Sequence, residues 1–192
     1  MKRGFTLIEM LVVIGIIAII TGATIGGYSR LVKTADQTRA SELVSNVTTA
    51  MTALYQQEGM WPKRIITAAG SDHLLNESAA EPLSKKGYLS LDLKGYDRFG
   101  VVSPWAVSVI KDRGRNVSRT TKVGATGKTI MDHTLRFAID DDGDGITGLP
   151  EIEGYTGEKK VRATACVWCC SKEGSLEYKH LIKSWTDGQV VK

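Results

Sequence analysis

The chain has 192 residues and a formal net charge of +4, with 42% hydrophobic and 24% charged residues, which excludes intrinsic disorder and collagen-like repeats. The small net charge argues against a dedicated nucleic-acid-binding protein, which would carry a denser basic surface. Three cysteines are too few for a small domain held together by disulfides.

The N-terminus combines a short basic start with a long apolar segment. Residues 10–29 contain no charged side chain, and a helix of that length measures about 30 Å, the thickness of the hydrocarbon core of a bilayer. Lys2 and Arg3 precede this segment, and basic residues tend to remain on the cytoplasmic side of a membrane. We therefore expect residues 5–27 to form a single membrane-spanning helix with its N-terminus in the cytoplasm.

Beyond the apolar segment, hydrophobic residues recur at steps of three and four, the spacing of one face of a helix. This stripe occupies residues 28–58, with charged residues between its members. Gly59 and Pro62 are typical of a helix end. The pattern predicts one continuous helix over residues 5–58, whose amphipathic second half must be covered by the rest of the chain or by other copies.

The remaining residues, 59–192, are enough for one compact core. A short helix interrupted by Pro82 is predicted over residues 74–86, and a long exposed loop over 112–127, which is rich in Gly, Ser, Thr and Arg. Elsewhere the hydrophobic period is two, which predicts strands over residues 88–93, 101–102, 105–110, 134–139, 161–168 and 176–185. The expected fold class is α+β, with a small antiparallel sheet packed on the second half of the long helix.

Glu9 lies at the start of the apolar segment. A carboxylate inside a membrane-spanning helix costs roughly 2.5–3.5 kcal/mol and usually has a partner. Two interpretations are open. The side chain can reach the lipid headgroups, or it can pair with a cation at the same depth, which a new α-amino group at Phe5 would provide if the chain were cut between Gly4 and Phe5.

Residues 2–20, KRGFTLIEMLVVIGIIAII, resemble the signal of type IV pilins and type II secretion pseudopilins. That signal is a short basic leader ending in Gly, followed by Phe and by Glu five residues into the mature chain. The resemblance implies that residues 1–4 are a leader removed after Gly4 by a prepilin peptidase, and that Phe5 is N-methylated. It further implies that Glu9 pairs with the Phe5 amine of a neighbouring subunit, and that the chain is a structural subunit and not an enzyme.

The same resemblance implies a homo-oligomeric helical filament that contacts other pseudopilins and an inner-membrane assembly platform, with the head in the periplasm and no nucleic-acid partner. Gly87-Tyr88-Leu89 resembles an element of pseudopilin heads, and Ser103-Pro-Trp-Ala106 matches a second element in part. The expected function is that of a pseudopilin in a type II secretion pseudopilus, which drives protein export across the outer membrane. Two alternatives are a type IV pilus pilin serving adhesion, motility or DNA uptake, and a monomeric membrane-anchored calcium-binding protein.

Residues 140–151, DDDGDGITGLPE, have the spacing of a twelve-residue calcium-binding loop. The ligands expected from this spacing are the side chains of Asp140, Asp142, Asp144 and Glu151 and the backbone carbonyl of Ile146. The alternative is a solvated turn between two strands, because a strand is predicted where that motif has a helix. Major pseudopilins, which the chain resembles, hold a structural calcium ion in a C-terminal loop, so Ca²⁺ is the expected cofactor.

The three cysteines are clustered at Cys166, Cys169 and Cys170. In a strand, Cys166 and Cys170 share one face while Cys169 points to the other, and a Cys166–Cys169 bridge would need a turn. Outside the cytoplasm an oxidised pair is expected. We expect one disulfide and one buried free thiol, with the pairing open, and no zinc site because no histidine is close in the sequence.

Overall fold

The structure, a computed structural model, describes residues 7–89, 99–125, 127–154, 159–171, 174–186 and 189–191. It contains helices and a small antiparallel sheet, which confirms the expected α+β fold class. The chain divides into two compact units, the first ending at Asp36 and the second beginning at Gln37. The second unit, which we call the head, therefore includes the last part of the long helix.

Helix α1 is continuous over Leu7–Glu58. It ends as predicted at Gly59, which adopts a φ of +69° and donates its N–H to the carbonyl of Tyr55 at 2.8 Å, a common way for glycine to close a helix. Over the described residues, no helix combines the length and apolarity needed to cross a bilayer.

The apolar stripe of α1 is covered in its later part. The buried side chains of α1 are Ala40, Val44, Val47, Ala50, Met51 and Leu54. Further towards the N-terminus, Leu31 and Val32 belong to the same stripe but are 70% and 41% exposed. The predicted amphipathic helix is thus confirmed as an element, and its packing against the rest of the chain begins near residue 40.

Three short helices follow α1, and the sequence predicted one of them. They are α2 (Lys63–Ala69), α3 (Glu77–Lys85) and α4 (Pro104–Arg113), with short 3-10 helices over Gly114–Asn116 and Tyr178–His180. Helix α3, which contains Pro82, confirms the helix predicted over residues 74–86. Its N-terminus is capped by the side chain of Asn76, which accepts the N–H of Ala79 at 3.0 Å.

Helix α4 lies where a strand was predicted over residues 105–110, and that prediction is wrong. Pro104 occupies the first turn of the helix, where its fixed φ and missing N–H are tolerated. Trp105, Ala106 and Ile110 are buried, with Val107 and Val109 partly covered. Five apolar residues among six can satisfy either period, so the proline decides the outcome.

The main sheet is antiparallel, with the order β1-β4-β5. Its strands are β1 (Arg136–Ile139), β4 (Ala165–Cys169) and β5 (Ile182–Lys183), and a separate pair joins β2 (Thr147–Gly148) to β3 (Lys160–Val161). The three strands of the main sheet overlap the segments predicted over 134–139, 161–168 and 176–185 and are each shorter, and β4 extends one residue beyond its predicted segment, to Cys169. Residues 101–102 contribute only an isolated bridge between Val102 and Thr134, because helix α4 begins two residues later.

Two other sequence predictions differ from the structure. Tyr88 and Leu89 are not part of a strand, and the rest of the strand predicted over 88–93 is outside the described residues. The predicted loop over 112–127 contains the end of α4, a 3-10 helix and the buried side chains of Val117 and Val123. This segment is therefore more tightly packed than its composition indicates.

Strand β4 is buried on both faces and separates two apolar clusters. Val167 and Cys169 face the main core with α1 to α4, whereas Cys166 and Trp168 face a smaller cluster that includes Trp185. The rings of Trp168 and Trp185 meet edge to face, with centroids 5.8 Å apart. The side-chain alternation of a strand thus places sequence neighbours in different cores.

Candidate functional site

The first candidate site is the N-terminal stretch of α1. Every side chain over residues 7–22 is exposed, including Leu7 at 82% and Ile19 at 75%. A soluble surface rarely carries so large a contiguous apolar area, which marks a site of contact with a membrane or another protein. This stretch therefore has the properties of an interaction element.

Glu9 lies in the first turn of α1, where a negative charge is stabilised by the helix dipole. Its side chain is exposed. Gly4 and Phe5, at which leader cleavage and N-methylation are predicted, lie outside the described residues. The predicted pairing of Glu9 with a Phe5 amine remains a prediction.

The second candidate site is the aspartate loop, residues 140–146, which follows β1. Asp140 is only 3% exposed, and its two carboxylate oxygens accept the N–H groups of Gly143 and Gly145, each at 2.8 Å. Both glycines have φ near +80°, a conformation that other residues avoid. The buried carboxylate and the two glycines together fold the chain into a tight turn.

The loop brings three carboxylates together as the sequence predicts. Oxygen atoms of Asp140, Asp142 and Asp144 lie within 4.8 Å of one another. Within the described parts of the chain, none of the three is ion-paired with lysine or arginine. Clustered carboxylate oxygens are the ligands that Ca²⁺ prefers, so the residues present fit a hard divalent cation.

Glu151 is not part of this cluster in the structure, and its assignment as a ligand stays a prediction. Its side chain is 91% exposed and lies 3.6 Å from the Nζ of Lys159. The cause is β2, because from Thr147 the chain is extended and paired with β3, which carries position twelve away from the turn. Ile146 donates its N–H to Asp144 at 2.7 Å, and its predicted carbonyl ligation is untested.

The aspartate loop is anchored to the end of α1 by two aromatic residues that the sequence analysis did not single out. The indole N–H of Trp61 donates to the backbone carbonyl of Asp140 at 2.6 Å. The rings of Trp61 and Tyr55 stack with their centroids 4.9 Å apart. The Tyr55 hydroxyl lies close to Gly143, 3.2 Å from the position that a Cβ on this residue would occupy. No spacing rule links these residues to the loop, because the contact between Trp61 and Asp140 spans 79 positions.

All three cysteines are buried free thiols, so the expected disulfide is not formed in this structure. Cys166 and Cys169 are separated by three residues of an extended strand, about 10 Å, whereas a disulfide needs Cα atoms within about 7 Å. Burial raises the pKa values of Cys166 and Cys170 to about 12 and also raises that of Cys169. The thiols are therefore protonated and unreactive at neutral pH.

His133 is a buried polar residue of the head that the sequence analysis did not single out. Its Nδ1 is 3.0 Å from the Oγ of Ser103 and 3.1 Å from the Sγ of Cys170. Burial lowers the pKa of His133 to about 4, an effect that Asp132 partly offsets. Because Ser103, His133 and Cys170 are each 0% exposed, this group is a polar part of the core rather than a catalytic centre.

Comparisons with known proteins agree with the N-terminal observations. The prokaryotic N-terminal methylation motif matches residues 1–25. The chain is 33% identical over 63 residues to the type IV major pilin protein PilE of Neisseria gonorrhoeae, a match that covers 33% of this chain and 38% of that pilin. The chain thus matches well under half of that relative's length. No solved structure matches significantly.

Proposed function

We propose that the chain is a pseudopilin, a structural subunit of a type II secretion pseudopilus that drives protein export across the outer membrane. The prepilin-type methylation motif and the similarity to a type IV major pilin support the proposal. One observation carries the proposal: the motif over residues 1–25 contains the start of helix α1, where the side chains over residues 7–22 are all exposed and, apart from Glu9 and Thr21, apolar or glycine. Such a helix is stable in water only if it is covered by lipid or by other subunits.

The proposed assembly starts with removal of residues 1–4 by a prepilin peptidase and N-methylation of Phe5. The new amine of one subunit then pairs with Glu9 of the next, inside a bundle of apolar helices where a paired charge costs least. The partners are further copies of this chain, other pseudopilins and an inner-membrane assembly platform. In this role the chain is a substrate of an enzyme and performs no catalysis itself.

The prepilin-type motif implies a membrane-anchored subunit. We place its N-terminus in the cytoplasm, residues 5–27 in the inner membrane as a single pass, and the head in the periplasm. Lys2 and Arg3 support this orientation. The helix would leave the membrane when the subunit enters the filament.

The test of assembly is replacement of Glu9 by leucine or alanine in cells that carry the secretion machinery. Both variants should remain as membrane-held monomers, because the amine of the neighbouring subunit loses its partner. Glu77→Leu, at an exposed position in the head, is the control and should assemble normally. Normal processing and polymerisation of Glu9→Leu and Glu9→Ala would rule the proposed pairing out.

A type IV pilus pilin is the second candidate, and the similarity to a type IV major pilin favours it. The aspartate loop and Gly87-Tyr88-Leu89 favour the pseudopilin. Immunogold electron microscopy of cells at native expression separates the two: a pseudopilin stays within the periplasm, whereas a pilus pilin forms long filaments outside the cell. A monomeric anchored protein would crosslink to no other copy in either place.

We further propose that the aspartate loop binds Ca²⁺ through Asp140, Asp142 and Asp144. A divalent cation would remove the repulsion among these carboxylates and fix the turn against Tyr55 and Trp61. Trp61 contacts the loop through Asp140 and contacts α1 through Tyr55. An ion here would therefore stabilise the packing of the loop against the last part of α1.

Calorimetric titration of Ca²⁺ into the detergent-solubilised full chain tests this proposal. Binding should be lost in Asp142→Ala and kept in Asp112→Ala, which removes one carboxylate from an exposed site elsewhere. Glu151→Gln should bind as the parent does, because Glu151 lies outside the cluster. Absence of binding heat in the parent chain would exclude the site.

A further inference from the structure

The head contains a pocket of about 450 Å³ that the proposed function does not use. It lies between the turn that follows α2, the start of β1 and the segment around residues 150–153. Its apolar walls include Leu74, Met131, Ile152 and Leu176. This volume falls within the usual range for small-molecule sites, which combine apolar walls with a few polar groups. We call it the Arg136 pocket.

Arg136 lines the pocket from the first position of β1. Its Nε is buried and has no hydrogen-bond partner, and within the described parts of the chain its guanidinium takes part in no ion pair. Buried donors without a partner are rare because each costs roughly 1–3 kcal/mol. A guanidinium in such a position is suited to the two oxygens of a carboxylate.

His73 supplies a second polar group to the pocket. It has a φ of +58°, a strained conformation for a residue with a side chain, and such strain is concentrated at binding sites. Its Nδ1 lies 3.2 Å from the carbonyl of Phe137; a carbonyl only accepts, so Nδ1 carries the proton and Nε2 is left as an acceptor. Burial lowers the pKa of His73, which keeps the ring neutral.

Apart from Ser71, the other polar side chains that line the pocket are acidic. They are Asp72, Glu151 and Glu153, of which Glu151 also lies 3.6 Å from the Nζ of Lys159. Among the described residues that line the pocket, the acceptors therefore lie around one cationic side chain, Arg136. A simple anion would be repelled by these carboxylates, and a simple cation would be repelled by Arg136. The charge pattern fits a ligand that carries an ammonium group and a carboxylate on an apolar body.

We propose that the Arg136 pocket binds a zwitterionic ligand with an apolar side chain, either a free amino acid or a short peptide. Arg136 holds the carboxylate, the acidic residues and His73 receive the ammonium group, and the apolar walls cover the side chain. The pocket lies entirely within residues 37–192, so this inference does not depend on filament assembly.

Calorimetric titration of the full chain in non-ionic detergent tests the proposal. The probes are L-leucine and the dipeptide leucyl-leucine, with N-acetyl-leucine and leucinamide as analogues that lack the ammonium group and the carboxylate respectively. At least one zwitterion should bind, and each blocked analogue should bind roughly tenfold more weakly, the effect of losing one charged hydrogen bond. A response to the dipeptide alone would identify peptides as the source of the ligand.

Two variants test which residue binds each charged group of the ligand. Arg136→Gln should weaken the zwitterion roughly tenfold and leave leucinamide unchanged, whereas Glu153→Gln should weaken the zwitterion and leave N-acetyl-leucine unchanged. Arg162→Gln and Glu77→Gln, which remove the same charges from exposed positions outside the pocket, are the matched controls. Glu153 is exposed, so its variant keeps the test decisive if Arg136→Gln fails to fold.

Three results would overturn the proposal. The first is no binding of any zwitterion to the parent chain. The second is equal binding of the blocked analogues, which would show an apolar cavity without charge recognition. The third is an equal loss of affinity in the control variants, which would show a response to net charge alone.

Discussion

Residues 7–22 and 40–54 belong to one helix and differ in what covers them. Both stretches are rich in aliphatic residues, yet the first is exposed throughout while the second buries Ala40, Val44, Val47, Met51 and Leu54. The second stretch places its apolar residues on one face and its polar residues on the others, so a single core can cover the whole apolar face. Apart from Glu9 and Thr21, the first stretch is apolar or glycine on every side, and a core that packs on one side cannot cover it.

The difference teaches that spacing, rather than apolar content, indicates which part of a helix its own chain will bury. A helix that is apolar all round needs an environment that surrounds it, such as lipid or a bundle of other helices. Stability of the isolated chain should therefore depend on the second stretch, and contact with lipid or with other helices on the first.

The largest effect is expected from matched leucine truncations in the two stretches. Leu54→Ala should lower the free energy of unfolding by about 2–5 kcal/mol, because Leu54 is fully buried and a cavity remains. Leu11→Ala, at a position 66% exposed, should change it by less than about 0.5 kcal/mol. Urea unfolding followed by near-ultraviolet circular dichroism measures both. Equal losses would contradict the division of roles along α1.

The second effect is a pH dependence of stability, which we expect to arise from His133 in the head. The pKa of His133 is about 4 in the folded chain against about 6.5 when unfolded. The stability that comes from its neutral form is complete above pH 6.5 and is lost as the pH falls towards 4, by about 3 kcal/mol in total. Chemical unfolding at pH 7 and pH 4.5 should show this loss in the parent and in His180→Gln, an exposed histidine. His133→Asn should lose much less, and an unchanged loss would exclude His133 as the source.

The third effect tests how firmly the aspartate loop is built into the head. Asp140→Ala leaves the N–H groups of Gly143 and Gly145 without their acceptors, so stability should fall by roughly 2 kcal/mol without any added metal. Asp141→Ala, at an exposed position in the same loop, should change it by less than about 0.5 kcal/mol. Thermal unfolding in chelator measures the difference, and similar melting temperatures for the two variants would show that the turn does not need the buried carboxylate.

The smallest effect is expected at the N-terminus of α3. Asn76→Ala removes the acceptor of the Ala79 N–H and should cost about 1 kcal/mol. Asn76→Asp keeps the acceptor and serves as the control. Guanidinium unfolding can resolve this difference, and equal midpoints for the two variants would argue against a capping role.

The sequence predicts the elements that depend on local signals. Gly59 and Pro62 locate the end of α1, and the aspartate spacing brings three carboxylates together, because both patterns act over a few residues. Trp105–Ile110 was assigned to the wrong element because its short apolar run fits two periods. Glu151 was expected beside the three aspartates and lies apart from them in the structure, because β2 pairs with β3 and the ligand spacing alone does not indicate that pairing.

Contacts between distant segments are beyond such prediction. Trp61 meets the carbonyl of Asp140, and His133 meets Ser103 and Cys170, through the packing of several elements. The Arg136 pocket likewise combines three separate parts of the head. No pattern within a single segment indicates these contacts, and they are seen only in the folded structure.

The hydrogen bond from the Trp61 indole to the Asp140 carbonyl has a practical consequence. Indole fluorescence responds to the loss or lengthening of a bond at its N–H, so the chain contains an intrinsic optical probe beside the aspartate loop. Emission from Trp61, with the other tryptophans replaced by phenylalanine, would report rearrangement of this turn within milliseconds. The same signal could follow the loop during a titration with Ca²⁺, without any attached dye.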